Sequence, residues 1–357
     1  MIKEYKPFTE ETLDDALSVI RERFPPSAEE IARKVLRNPL RKLCSDAGTI
    51  GYRDGRPVCF QANMLRRFYF GTKPVLGVAG GLVCKALKGC PLSMLMEVID
   101  RSSNPRAGAA FTFGNSCCSS TADMYDNGGA NAGCPSCARE LWRPVRIVGC
   151  LGYVFRRKIL RRPVPTWSAF NTLTCPAFDV HDEDLSICRA LDVRTDFFDT
   201  LMTDYLTTNE GVVASRTEDE VAWMFEDKIK DGRAVLLCAT QGQKPVGYIV
   251  FGSDEAARRW MLMDWFARNN DFSVLSKLLK VACTFLRKNT PAIIFETRGF
   301  PSFAQPILKR YLPFIQQKGV NFFTWSFLPN REIEGFKAAA YTDKSWFFGP
   351  YDGDLVM

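Results

Sequence analysis

Residues 77–129 read GVAGGLVCKALKGCPLSMLMEVIDRSSNPRAGAAFTFGNSCCSSTADMYDNGG. The stretch opens with an apolar, strand-like run, Val78 to Cys84. A tight basic turn follows, Lys85-Ala86-Leu87-Lys88-Gly89-Cys90-Pro91. Next is a helix, Leu92 to Ile99, whose apolar residues Leu92, Leu95, Met96 and Ile99 recur at spacings of three and four. A second strand, Ala109 to Phe113, ends at Gly114-Asn115. A Ser/Thr-rich start then leads into a short helix carrying Tyr125. Strand, basic glycine turn, helix, strand is an order that aims backbone N–H groups and a helix N-terminus at a phosphate.

The stretch resembles the acyl-CoA-binding core of the GNAT acyltransferase superfamily. That family's turn reads Arg/Gln-x-x-Gly-x-Gly/Ala, and its amides hold the CoA pyrophosphate. Lys88 and Gly89 sit where the family has Arg-Gly, Pro91 where it has the next glycine, and Ser93 where it has the last small residue. Pro91 departs from the pattern, since proline has no N–H to offer a phosphate. In the first turn of a helix that N–H would be unpaired anyway. Downstream, Asn115, Ser120, Tyr125 and Gly129 resemble the family's Asn…Ser…Leu-Tyr…Gly stretch. The resemblance implies that Leu82, Val83, Cys84, Lys88, Gly89, Cys90, Leu92, Ser93 and Asn115 bind the co-substrate, acetyl-CoA or another acyl-CoA. It implies Tyr125 as the acid that protonates the departing thiolate. As a lone tyrosine, Tyr125 reads equally well as a packing aromatic.

Working outward, Thr9 caps a helix bearing Leu13, Ala16, Leu17 and Ile20, and a second helix starts near Ser27. Asp54-Gly55 between two apolar runs predicts a hairpin. Residues 141–148 read as a strand closing the first sheet. Arg156-Arg157-Lys158 and Arg161-Arg162, then two prolines, read as a linker that could also meet an anionic surface or nucleic acid. No nucleic-acid motif accompanies them.

Beyond residue 166 the pattern returns. Pro245-Val-Gly-Tyr matches Pro57-Val-Cys-Phe, Leu275-Ser-Lys-Leu matches Leu92-Ser-Met-Leu, and Ile293-Ile-Phe matches Ala109-Ala-Phe. Three blocks in one order, at an offset of roughly 185 residues, argue duplication of a whole domain. The second copy has Arg268-Asn-Asn-Asp271 where the first has its turn, without glycine and with an acid. The expected fold is therefore α/β: two tandem GNAT-like domains, each a mixed, mostly antiparallel sheet flanked by helices. Residues 1–150 form the acyl-CoA-binding domain, 151–166 the basic, proline-rich linker, and 167–357 a degenerate second domain with a tail. The aromatic tail around Trp346 is expected to be a strand or loop packed on the first domain.

Composition bounds the rest. The 357 residues are 46% hydrophobic and 24% charged, with net charge +7 and 13 cysteines. No apolar run nears the ~18 residues of a membrane span, and the N-terminus reads as no signal peptide. The cytoplasm is the expected compartment. An odd, scattered cysteine set argues against a disulfide framework. Cys134-Pro-Ser-Cys137, with no second pair and a single His181, argues against zinc, so no metal is expected.

The function expected is transfer of an acyl group from acyl-CoA to an amine or hydroxyl of a small-molecule or saccharide acceptor. Two alternatives stay open: a catalytically inactive GNAT-like binding protein, and aminoacyl transfer from tRNA. No general base is legible; Glu97 reads as a solvated helix acid. Cys84 and Cys90 have no nearby histidine and make poor nucleophiles.

Overall fold

A computed structural model describes residues 2–23, 27–43, 47–103, 108–117, 131–132, 140–155, 159, 179–182, 184–253, 258–297, 300–316, 322–328, 331–336, 339 and 346–347. Strand β1 (Lys3–Pro7) leads to a 3-10 turn and helix α1 (Leu13–Ile20). Thr9 and Thr12 knot the turn, the Thr9 amide donating to Thr12 Oγ1 at 3.0 Å. Helix α2 (Ala28–Leu36) follows Ser27 and buries Ile31, Ala32, Val35 and Leu36. Strands β2 (Gly48–Arg53) and β3 (Arg56–Phe70) form the expected hairpin. Asp54 and Gly55 both have positive φ, 50° and 77°, which a two-residue hairpin of matching twist requires. Strand β4 (Lys73–Lys85), helix α3 (Leu92–Ser103) and strand β5 (Phe111–Cys117) build the central stretch. The helix runs one turn past Ile99, and the strand continues through Gly114-Asn115 instead of ending there.

Then come β6 (Asn131–Ala132), β7 (Glu140–Pro144) and helix α4 (Ile147–Val154). The strand expected over 141–148 stops at Pro144, which has no N–H to extend a ladder. The chain enters a helix instead, so the expected linker begins inside an ordered element. The later elements are β8 (Asp179–Asp182), β9 (Leu185–Ala190), α5 (Phe197–Leu206), β10 (Val212–Ala214), α6 (Glu218–Lys230), β11 (Ala234–Gln241), β12 (Lys244–Ser253) and β13 (Arg259–Ala267). They continue with α7 (Phe272–Asn289), β14 (Ile294–Thr297), α8 (Gln305–Tyr311), β15 (Phe314–Gln316), β16 (Phe322–Phe327) and β17 (Trp346–Phe347).

Two mixed, mostly antiparallel sheets result. The first has order β1-β2-β3-β4-β5-β16-β6, with β10 also on β3 and β17 on β10. The second has order β15-β7-β14-β13-β12-β11-β9-β8. Each holds one parallel pair joined by a helix: β4-α3-β5 in the first, β13-α7-β14 in the second. The matched blocks at Pro57 and Pro245 occupy β3 and β12, which hold equivalent places. Each sheet also borrows a strand. The β7 strand pairs with β14 and β15, whereas β16 from far down the chain pairs with β5 and β6. The tail strand Trp346–Phe347 joins the first sheet through β10.

Helices α2 and α6 press the halves together. Trp223 Nε1 donates to the Lys34 carbonyl at 2.8 Å, and Lys34 Nζ donates to the Met224 carbonyl at 2.8 Å. Burial there pushes the Lys34 ammonium well below its usual range. Glu30 and Arg233 pair at 2.9 Å at the margin.

Candidate functional site

The site is an opening in the first sheet. Strand β4 pairs with β5 only at Gly77–Phe111, Val78–Thr112 and Ala79–Phe113. Beyond Ala79 the strands part: β4 runs on to Lys85 and β5 to Cys117 with no ladder between them. A bulge marks the parting. Phe60 faces Cys84 and Ala62 faces Gly81, so Leu82 and Val83 together oppose Gln61. Leu82 takes φ +51°, a left-handed conformation rare for leucine. A bulge bends its strand and leaves backbone groups without ladder partners. Among the described residues, the edges of β4 and β5 that face this gap are therefore open.

The gap leads to the turn. Ala86 N still bonds Val58 O at 2.8 Å, and the chain then leaves the sheet. Gly89 has φ +91°, and the site where it would carry a Cβ is open space. Its carbonyl accepts from Arg53 Nη1 at 2.9 Å. The Pro91 carbonyl accepts the amides of Met94 (3.1 Å) and Leu95 (3.2 Å), so Pro91 starts α3 without giving up a needed N–H. No described residue accepts the amides of Gly89, Cys90, Leu92 or Ser93. Leu92 and Ser93 open α3, Gly89 and Cys90 directly precede it, and Lys88 is exposed in the same turn, an arrangement suited to an anion.

Leu82 and Val83 form the bulge. Cys84 is buried, so only its backbone belongs to the site. Lys88, Gly89, Cys90, Leu92 and Ser93 form the turn and the first turn of α3. The Cys90 thiol lies toward Cys59, whose own thiol is pushed up by burial with Cys90 beside it. Asn115 is on β5 past the parting; its side chain is outside the described atoms. Tyr125, Ser120, Gly129, Cys134 and Cys137 lie outside the described residues, as do the side chains of the 156–158 and 161–162 basic residues and of His181.

Three residues at the site were not legible in the sequence. Glu22 Oε2 accepts the Leu87 amide at 2.6 Å, so a carboxylate already sits at the mouth of the turn. Gln61 and Asn63 lie on β3 beside the bulge, and their Oε1 and Oδ1 atoms are buried without a hydrogen-bond partner among the described residues. Their only sequence signal is two amides inside the apolar run Val58–Leu65. Glu97, by contrast, is spoken for: it accepts from Lys3 at 2.7 Å and from the Tyr5 hydroxyl. Those two donors hold its carboxyl below the usual range, while burial and Glu97 push the Tyr5 hydroxyl up to about 12.

The second sheet has no such vacancy at its turn. Asn269 and Asn270 do reach positive φ, 52° and 55°, so the absence of glycine does not prevent the bend. Asparagine tolerates that conformation better than most residues. Asp271 then caps α7 itself, accepting from Ser273 N (2.8 Å) and Val274 N (3.4 Å). Tyr205 on α5 and Thr208 just past it donate to Asn270 and Asn269 and hold the turn.

Solved structures of the GNAT fold share this architecture. A GCN5-related N-acetyltransferase from Kribbella flavida superposes with TM-score 0.56 at 12% identity, over 92% of this chain and 71% of that one. The Saccharomyces cerevisiae N-myristoyltransferase with bound myristoyl-CoA gives 0.54 at 14% identity, over 97% and 85%. A tandem GNAT protein from the clavulanic acid biosynthesis pathway gives 0.50 at 13%, over 91% and 98%. No protein-family model matches the sequence, and no curated protein matches it. The chain thus has a GNAT fold, at a distance in sequence that speaks for fold alone.

Proposed function

We propose that this chain is an acyltransferase that moves an acyl group, acetyl in the first instance, from acyl-CoA to an amine or hydroxyl acceptor. The observation that carries the reading is the parted β4–β5 pair running directly into a turn with four unclaimed amides. The residues suit CoA: Gly89, Cys90, Leu92 and Ser93 would hold the pyrophosphate through N–H groups, with Lys88 adding a point charge. The open edge of β4 would hydrogen-bond the pantetheine arm, with Asn115 opposite. Amides of the bulge, Leu82 to Cys84, would face the thioester carbonyl and stabilise the oxyanion as the acceptor attacks. Holding both reactants in the gap supplies the proximity term. Tyr125 is the proposed acid for the departing thiolate.

The self-capped second turn supports binding in the first half alone, the second half then shaping the acceptor side. Duplication of one ancestral domain accounts for both sheets. The cytoplasm is proposed as the compartment. The acceptor is proposed as a small molecule or saccharide.

A second reading, a CoA-binding protein without catalysis, draws on Glu97 being held by Lys3 and Tyr5 and on Pro91. Calorimetric titration with acetyl-CoA and a longer acyl-CoA, followed by thiol release with amine and hydroxyl acceptors, separates the two. Binding with CoA release supports transfer. Binding without release across the acceptors supports the second reading. No binding to either thioester at millimolar ligand ends both.

A further inference from the structure

Helix α4 presents an apolar stripe to water. Its sequence, Ile147-Val-Gly-Cys-Leu-Gly-Tyr-Val154, contains no charge. Ile147 is 69% exposed, Val148 84%, Leu151 66%, and Phe155, just past the helix, 51%. Positions 147, 148, 151 and 155 share one side of a helix. The other side is anchored. Arg146 donates to the carbonyls of Ala292 (2.6 Å) and Arg287 (2.8 Å), the Cys150 thiol meets the Ile293 carbonyl at 3.0 Å, and Ile293 packs against Gly149. A contiguous apolar face held rigidly outward marks an interaction surface.

Among the described residues, the two helices on this side carry basic side chains and no acidic ones. Helix α7, reached from α4 through the Arg146–Arg287 contact, carries Lys277, Lys280, Arg287 and Lys288 and no acid. Helix α8, packed on α7, carries Lys309 and Arg310 and no acid. From Phe272 to Gln316 the one acid is Glu296, which is buried and ion-paired with Arg259. In sequence, residues 156–162 follow α4 with five further basic residues and no acid.

We propose that α4, with the basic flank of α7 and α8, is a contact site for an anionic lipid bilayer. The stripe would lie at the boundary of headgroups and acyl chains while the lysines and arginines meet lipid phosphates. No described helix is long and apolar enough to cross a membrane, so the contact is along the surface. Charge selects this occupant: a second copy docked on the same face would bring one cationic rim against another, which disfavours the pairing.

Flotation of the full chain with phosphatidylcholine vesicles, with and without phosphatidylserine, tests the assignment. The wild type should float only with the anionic vesicles and release as salt rises. The double change Val148→Glu with Leu151→Glu should cut the bound fraction by about tenfold or more, with melting temperature unchanged because both side chains are exposed. Lys280→Glu with Lys288→Glu should weaken binding while leaving the stripe intact. A wild type that stays unbound to anionic vesicles overturns the proposal. So does a Val148/Leu151 variant that floats like the wild type, or a dimer in light scattering that this variant dissociates.

Discussion

Gly89 is where a side chain would do most harm to an anion and least to the fold. Nothing surrounds its missing Cβ, but its φ of +91° is one that other residues adopt at a cost. Gly89→Glu should abolish acyl-CoA binding, read by calorimetry, while the protein stays folded by circular dichroism. Lys88→Ala should weaken binding by about 1–2 kcal/mol, the scale of one charge-assisted contact. Pro91→Gly should leave affinity unchanged or raise it. Glu22 adds a test that the sequence could not offer. Its carboxylate on the Leu87 amide places a negative charge where phosphate would approach. Glu22→Gln should therefore tighten CoA binding, and weaker binding by this variant would show that Glu22 supports the turn instead. Turn residues Lys88 to Ser93 were legible because glycine, a basic residue and a helix start lie together in sequence. The bulge at Leu82 was not, since leucine carries no local signal for a left-handed φ. Gln61, Asn63 and Glu22 reach the site only through pairings across tens of residues.

Among elements, the two turns preceding α3 and α7 are the instructive comparison. Both bend through positive φ, one at glycine and one at a pair of asparagines. They differ in who takes the helix amides. At α7 the protein's own Asp271 does so; at α3 the amides are left open. Asp271→Ala should cost about 1 kcal/mol of stability, as lost N-caps do, without altering CoA affinity. Asn270→Glu should likewise leave CoA affinity alone. Thermal melts and titrations on the same samples check both statements. The elements themselves were largely readable. The Asp54-Gly55 hairpin and the two N-terminal helices lie close to expectation, although neither Thr12 before α1 nor Ser27 before α2 makes a side-chain cap. Residues 141–148 misled because an apolar run interrupted by one proline serves as strand end and helix start alike; only tertiary pairing decides between them.

At the scale of the molecule, the halves meet through α2 and α6. Burial opposes ionisation of Glu30, but the hydrogen bond and charge of Arg233 prevail and hold its carboxyl below the usual range. A carboxyl depressed in the folded state adds stability above its unfolded pKa and loses it as pH falls through the folded value. The pair is partly exposed, so the contribution is about 0.2–1 kcal/mol. Denaturant melts of wild type and Glu30→Gln should thus differ at neutral pH and converge in acid. The exchange of β7 and β16 between sheets was illegible, because partners such as Phe113 and Trp325 are too far apart in sequence for any local pattern. Residues 1–150 expressed alone should be insoluble, since β5 would lose its β16 neighbour and Phe111 the ring of Phe336. A soluble, monomeric 1–150 fragment would contradict that.

The exchange also sets a timetable for synthesis on the ribosome. The first sheet cannot close its β5 flank until Phe327 has left the exit tunnel, although most of its strands emerge much earlier. Over that interval a strand edge and its aromatic face stand open in the nascent chain, in the kind of state that recruits chaperones or aggregates. Slowing translation after codon 150 should prolong that exposure and lower the soluble yield, whereas in a protein of two self-contained domains the same pause would help.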